Sequence, residues 1–202
     1  LVAISDVFAE NFTPRVIKGF RLEYDDLRKI KPDIIMVSST GYGYEGPWAS
    51  FGATGPATET ASGLAHMTGY RGGPPMMPEI PYTDYTGAEH TAFAGMAALV
   101  HRQDTGRGQF IDVSQSQTAS ATVPEALLEF AVNGHTQERM GNEDPFMMPH
   151  GCYPCRGDDR WIAIAIATDT QWQALARVLG RPQWVEDPRF RERVKEIWNE
   201  GF

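Results

Sequence analysis

Hydrophobic and polar positions change their period several times along this chain, and each change marks a switch between strand and helix. Ile34-Ile-Met-Val-Ser38 is a continuous apolar run closed by polar residues, the pattern of a strand buried on both faces of a parallel sheet. Residues 109–114 alternate Phe110 and Asp112 against Ile111 and Val113, which predicts a second strand. Trp161-Ile-Ala-Ile-Ala-Ile-Ala167 places Ile162, Ile164 and Ile166 on one face of a third, and Val7-Phe-Ala9 reads as a short strand entered from the end of a helix in residues 1–7.

Helical spacing fills the intervals. Residues 14–19 form a short helix with Thr13 as its cap and Pro14 at its first position. Residues 24–30 form another, with Asp25 and Asp26 in the first turn and Arg28 and Lys29 in the last, as the helix dipole favours. Residues 57–68 are rich in Ala, Ser and Gly and predict a closely packed helix. From about Gly87 to Gln103, Phe93, Met96, Ala97 and Val100 recur at helical spacing before the stop at Asp104-Thr-Gly-Arg-Gly108. Residues 118–133 predict one long helix, 171–179 a further one, and 188–202 a charged helix. The segments 40–47, 74–81 and 139–160 read as loops.

Composition narrows the possible functions. The 202 residues are 42% hydrophobic and 22% charged, enough for a buried core in one domain and part of another. A net charge of −8 disfavours a general nucleic-acid binder. The longest apolar run is far too short to cross a bilayer, so neither a membrane nor nucleic acid is an expected partner, and the expected setting is cytoplasmic. Leu1 opens the sequence as though inside a helix, with the appearance of an excerpt.

Candidate chemistry is sparse, which gives one carboxylate unusual weight. Cys152-Tyr-Pro-Cys155 has CxxC spacing, but it leads into a strand and no second pair exists, so two unpaired cysteines are expected. The five histidines, His66, His90, His101, His135 and His150, show no metal-ligand spacing, and no metal is expected. Gly41-Tyr-Gly43 is followed by Gly46-Pro47 and no helix, which excludes a dinucleotide fingerprint. Asp84, in Pro81-Tyr-Thr-Asp-Tyr-Thr-Gly87, stands where a helix begins and free backbone N–H groups favour negative charge. It can be a helix cap or a nucleophile.

Six motifs in series favour the nucleophile. Glu10-Asn-Phe-Thr-Pro14, Ser39-Thr-Gly-Tyr-Gly-Tyr-Glu-Gly-Pro47, Ser62-Gly-Leu64, Gly73-Pro-Pro75, Asp84 and Thr105-Gly-Arg-Gly-Gln-Phe-Ile-Asp-Val113 occur in this order. Together they closely resemble the class III CoA-transferases, the family of formyl-CoA, carnitine and benzylsuccinate CoA-transferases. The resemblance implies an α/β fold: an incomplete Rossmann-like large domain over residues 1–138 that carries the catalytic aspartate, then a linker and the start of a small α+β domain over 139–202. It also implies a homodimer.

Carried over residue by residue, the resemblance makes Asp84 the nucleophile and Asn11, Phe12 and Thr13 contacts for coenzyme A. Lys18 stands one place before the position where the family often has an arginine, here Gly19. Gly52, Ala53, Thr54 and Gly55 match a further CoA-lining segment. Formyl-CoA transferase has a carboxylate where this chain has Gly55, and glycines near residues 144–147. The acceptor pocket is therefore expected to be larger and more apolar around Phe146, Met147, Met148 and His150, and oxalate is not the expected acceptor. The implied reaction moves coenzyme A from an acyl-CoA to a small carboxylic acid through covalent aspartyl intermediates, with acyl-CoA as substrate and no tightly bound cofactor. Aspartate is ionised at neutral pH and needs no separate base. The alternatives are a 2-methylacyl-CoA racemase and a non-catalytic CoA-binding remnant. The racemases of the family pair their aspartate with a histidine about thirty residues upstream, where this chain has Thr54.

Overall fold

A computed structural model describes residues 1–190. They form two compact units, residues 1–69 with 73–139, and residues 70–72 with 140 onward. The helix expected over 188–202 lies mostly outside the described residues.

The first unit is built on a three-stranded parallel sheet in the order β1 (Val7–Glu10), β2 (Ile35–Thr40), β3 (Phe110–Ser114). The central strand buries side chains on both faces because its neighbours alternate. Ile34 and Met36 pack with Ile17 of α1 (Pro14–Phe20) and Leu27 of α2 (Tyr24–Ile30) on one side. Ile35 and Val37 pack on the other with Val113 and with Ala98 of α5 (Tyr82–Thr105). Ile34, Ile35, Met36 and Leu27 are fully buried. Gly108, in the turn before β3, lies against the start of β2, and a Cβ there would fall 2.0 Å from the Ile34 carbonyl oxygen. Arg102, near the end of α5, closes the same edge of the sheet, with Nη2 2.8 Å from Asp6 Oδ1 and Nη1 donating to the Asp33 carbonyl.

Several predicted boundaries move, each for a local reason. Residues 57–68 divide into α3 (Gly55–Ser62) and α4 (Leu64–Met67) at Gly63, whose φ of 91° ends the first helix. The long helix expected over 118–133 is two, α6 (Gln115–Ser120) and α7 (Pro124–Asn133), because Pro124 cannot continue a helix and instead opens a new one. The helix expected from Gly87 begins at Tyr82, so Asp84 falls inside its first turn. Phe93, Met96 and Val100 on that helix stand exposed, and its burial falls on Thr83, Thr86, Gly87 and Ala98.

In the second unit, the stretch read as a loop contains β4 (His150–Pro154), paired antiparallel with β5 (Trp161–Ala165) from His150 opposite Ala165 to Pro154 opposite Trp161. The apolar signal of β4 is weak, and only its pairing with β5 makes it a strand. α8 (Asp169–Val178) follows, capped by the Thr168 hydroxyl. Its Trp172 packs with Trp184 and Phe190, ring centroids 5.2–6.4 Å apart. Cys152 and Cys155 are both exposed and unpaired. Among the described residues, no helix is long and apolar enough to cross a membrane.

Candidate functional site

Parallel strands point their carboxyl ends the same way, so the segments that follow them converge on one edge of the sheet. Asn11, Phe12, Thr13 and Pro14 follow β1, Gly41 and Tyr42 follow β2, and Gln115 follows β3. α5 runs from that edge back to the start of β3, which brings its first turn, and Asp84, to the same place. These residues, with Ser39, Thr40, Ala49, Phe51, Ala53, Thr54 and Gly55, line a cleft of about 230 Å³.

Short hydrogen bonds shape its walls. The Glu10 carboxylate accepts from the Phe12 N–H at 2.7 Å and from the Ser38 hydroxyl, tying the loop after β1 to the central strand. Gly41 is pressed between β2 and the entry to α3, where a Cβ would lie 2.1 Å from the Ala53 Cβ. The Gly41 carbonyl accepts from Ser116 N at 3.0 Å, and Thr40 Oγ1 from Gly43 N at 2.8 Å. Asp112 accepts from the Tyr44 N–H at 2.8 Å. Burial raises the Asp112 carboxyl above its usual value, the Tyr44 N–H opposes the rise, and Glu45 adds to it.

Asp84 is not the cap of its helix. Pro81 occupies the N-cap, and Asp84, three residues on, donates its own N–H to the Pro81 carbonyl at 3.0 Å. Its exposed carboxylate has no hydrogen-bond or ion-pair partner among the described residues. Gly55 lies directly beneath, and a Cβ there would fall 2.4 Å from the Pro81 Cβ and 3.0 Å from Asp84 Oδ2. The open space above Gly55 is therefore what lets the entry to α3 approach the carboxylate.

The cleft brings together Asp84, Asn11, Phe12, Thr13, Ala53, Thr54 and Gly55 of the residues expected at a site. Gly52 adjoins the lining without joining it, and Lys18 is exposed on the last turn of α1, outside the cleft. Phe146, Met147, Met148 and His150 belong to the second unit; there His150 Nδ1 lies 2.6 Å from the Asn142 carbonyl oxygen and Met148 N donates to the Ile166 carbonyl. Gln115, Tyr42 and Phe51 are lining residues that the side-chain pattern alone did not single out. The signal for Gln115 was positional, as the first residue past a strand parallel to its neighbours. Among the described residues, no histidine lines this cleft.

The family model for CoA-transferase family III matches residues 1–201. The chain belongs to that family. Its similarity extends to the succinyl-CoA–D-citramalate CoA-transferase of Chloroflexus aurantiacus, 32% identical over 94% of this chain and 47% of that protein. The acetyl-CoA:oxalate CoA-transferase of Acetobacter aceti is 35% identical over 98% of this chain and 51% of that protein. Among solved structures, a CAIB/BAIF family protein from Brucella suis superposes with a TM-score of 0.85 at 28% identity, covering 98% of this chain and 52% of that one. The chain spans about half the length of the curated relatives it matches. The family III fold accounts for the parallel three-stranded sheet.

Proposed function

We propose that this chain carries the nucleophile of a CoA-transferase that exchanges coenzyme A between an acyl-CoA and a carboxylic acid. One observation carries the reading: Asp84, freed from capping and unpaired, stands at the head of a 24-residue helix in a cleft lined by the carboxyl ends of three parallel strands. Membership of the family supports it.

The chemistry closes on one carboxylate. An Asp84 oxygen attacks the thioester carbonyl carbon, the C–S bond breaks, and an aspartyl–acyl anhydride forms with release of CoA thiolate. The thiolate attacks the aspartyl carbonyl, expels the donor acid as its carboxylate and leaves an aspartyl-CoA thioester. The acceptor carboxylate attacks that thioester to form a new anhydride, and the thiolate then takes the new acyl group and restores Asp84. The exchange as a whole trades one thioester for another, and a covalent nucleophile divides it into separate acyl transfers. Negative charge gathers on a carbonyl oxygen in every step, and backbone N–H groups at the helix start and in the glycine loop suit its stabilisation.

The names of the relatives include both citramalate and oxalate, so likeness supports a carboxylic acid as acceptor without choosing one. Exposed Phe93, Met96 and Val100 on α5 support association with a second copy.

Incubation with an acyl-CoA and hydroxylamine, followed by mass spectrometry, tests the mechanism. The expected result is a hydroxamate at Asp84 and loss of turnover in Asp84→Ala with coenzyme A still bound. An unmodified Asp84 in turning-over enzyme overturns it.

A further inference from the structure

A second carboxyl lies hidden next to Asp84. Glu59, one turn into α3, is 1% exposed, and its Oε1 has no hydrogen-bond partner among the described residues. An unpaired ionised carboxylate in such a place is costly, and an apolar side chain would serve packing better. The backbone of Tyr82, first residue of α5 and two before Asp84, lies close enough to act on this carboxyl.

Helix α3 packs against α4, α5 and α6. On α5 the titratable side chains near this contact are Tyr82, Asp84, Tyr85, Glu89 and His90, and Asp84 is the charged one that acts on Glu59. On α4, His66 pairs with Glu138 at 3.7 Å and stands 3.4 Å from Arg139 Nη1. Helix α6 carries no titratable side chain.

We propose that Glu59 is a positioning residue for Asp84: a buried acid on α3 that holds the first turn of α5, and with it the Asp84 carboxylate, in place. This rests on the reading of Asp84 as nucleophile. Burial and the Asp84 charge both push the Glu59 carboxyl above its usual value, against the pull of the Tyr82 backbone. Glu59 is buried and Asp84 exposed, and such unlike surroundings are what separate an acid from an anion in a pair of carboxyls. A second anion there would repel both the CoA thiolate and the incoming acceptor carboxylate.

Carbon-13 NMR of the protein labelled at glutamate carboxyls follows Glu59 directly, its signal assigned by its absence in Glu59→Gln. The expected midpoint lies above that of free glutamate and falls in Asp84→Asn. Kinetics provide the second readout. Glu59→Ala should lower kcat on the order of tenfold to a hundredfold with KM for acyl-CoA retained. Glu59→Gln should restore most of that loss. A Glu59 that titrates as free glutamate does, a midpoint unmoved by Asp84→Asn, or a glutamine variant as impaired as alanine overturns the proposal. Hydroxylamine trapping separates the two readings. A trapped Asp84 beside an ordinary Glu59 sinks this inference alone, and an untrapped Asp84 in active enzyme sinks both.

Discussion

Thr58 Oγ1 and Thr83 Oγ1 lie 2.7 Å apart, both fully buried, and join α3 to the first turn of α5 one residue before Asp84. Each hydroxyl also reaches the Gly55 carbonyl, at 2.9 Å from Thr58 and 3.3 Å from Thr83. Thr83→Val keeps the shape and removes the link, so urea denaturation should show a loss of about 1–2 kcal/mol. Thr58→Val should cost a similar amount, and the double variant less than the sum, since both act through one network. Turnover should fall more than acyl-CoA affinity.

Gly55→Ala tests the close approach beneath Asp84. The new methyl meets Pro81 and Asp84 at distances that force α3 away from α5, at a cost of about 1–3 kcal/mol. Thermal denaturation and kcat should both decline. Gly52→Ala, with nothing within 4 Å, should leave stability within about 0.5 kcal/mol.

Glu10→Ala releases the loop after β1 and strands the buried Ser38 hydroxyl. The expected cost is about 1–3 kcal/mol of stability. Calorimetric titration with coenzyme A should show weaker binding, while kcat at saturating acyl-CoA changes less than KM.

The raised Glu59 carboxyl sets the sign of a pH dependence. The folded protein holds this proton to higher pH than the unfolded chain, whose glutamate titrates near 4.5. The stability of the native state relative to Glu59→Gln should therefore be greatest below that value and decline as pH rises through the folded midpoint. Denaturation of both proteins across that range checks the slope, and a gap independent of pH would contradict it.

The sheet was legible in the sequence because its central strand is apolar throughout, and Ile34 to Val37 needed no context to be read. Asp84 was legible through its motif series. Its position within the helix was not, because Pro81 reads as loop while it also serves as an N-cap, where its missing N–H costs nothing. The break at Pro124 was written in the sequence, but the apolar residues around it suggested continuity. β4 depends on its partner strand, which no local pattern reveals. Glu59 lay unnoticed among small residues, since one acid in a helix ordinarily faces water. Only the packing of α3 against α5 shows it buried.

The double-sided burial of β2 has a consequence for how the chain finds its alignment. Sliding this strand by one residue would exchange Ile34 and Met36 for Ile35 and Val37, one greasy pair for another, with little penalty from water. Hydrophobicity alone thus leaves its register open. The choice falls to two features at its ends: the Ser38–Glu10 hydrogen bond, and the bare backbone of Gly108 against Ile34. Both act as a vernier, fixing by one residue's step whether Gly41 and Asn11 arrive at the same mouth as Asp84.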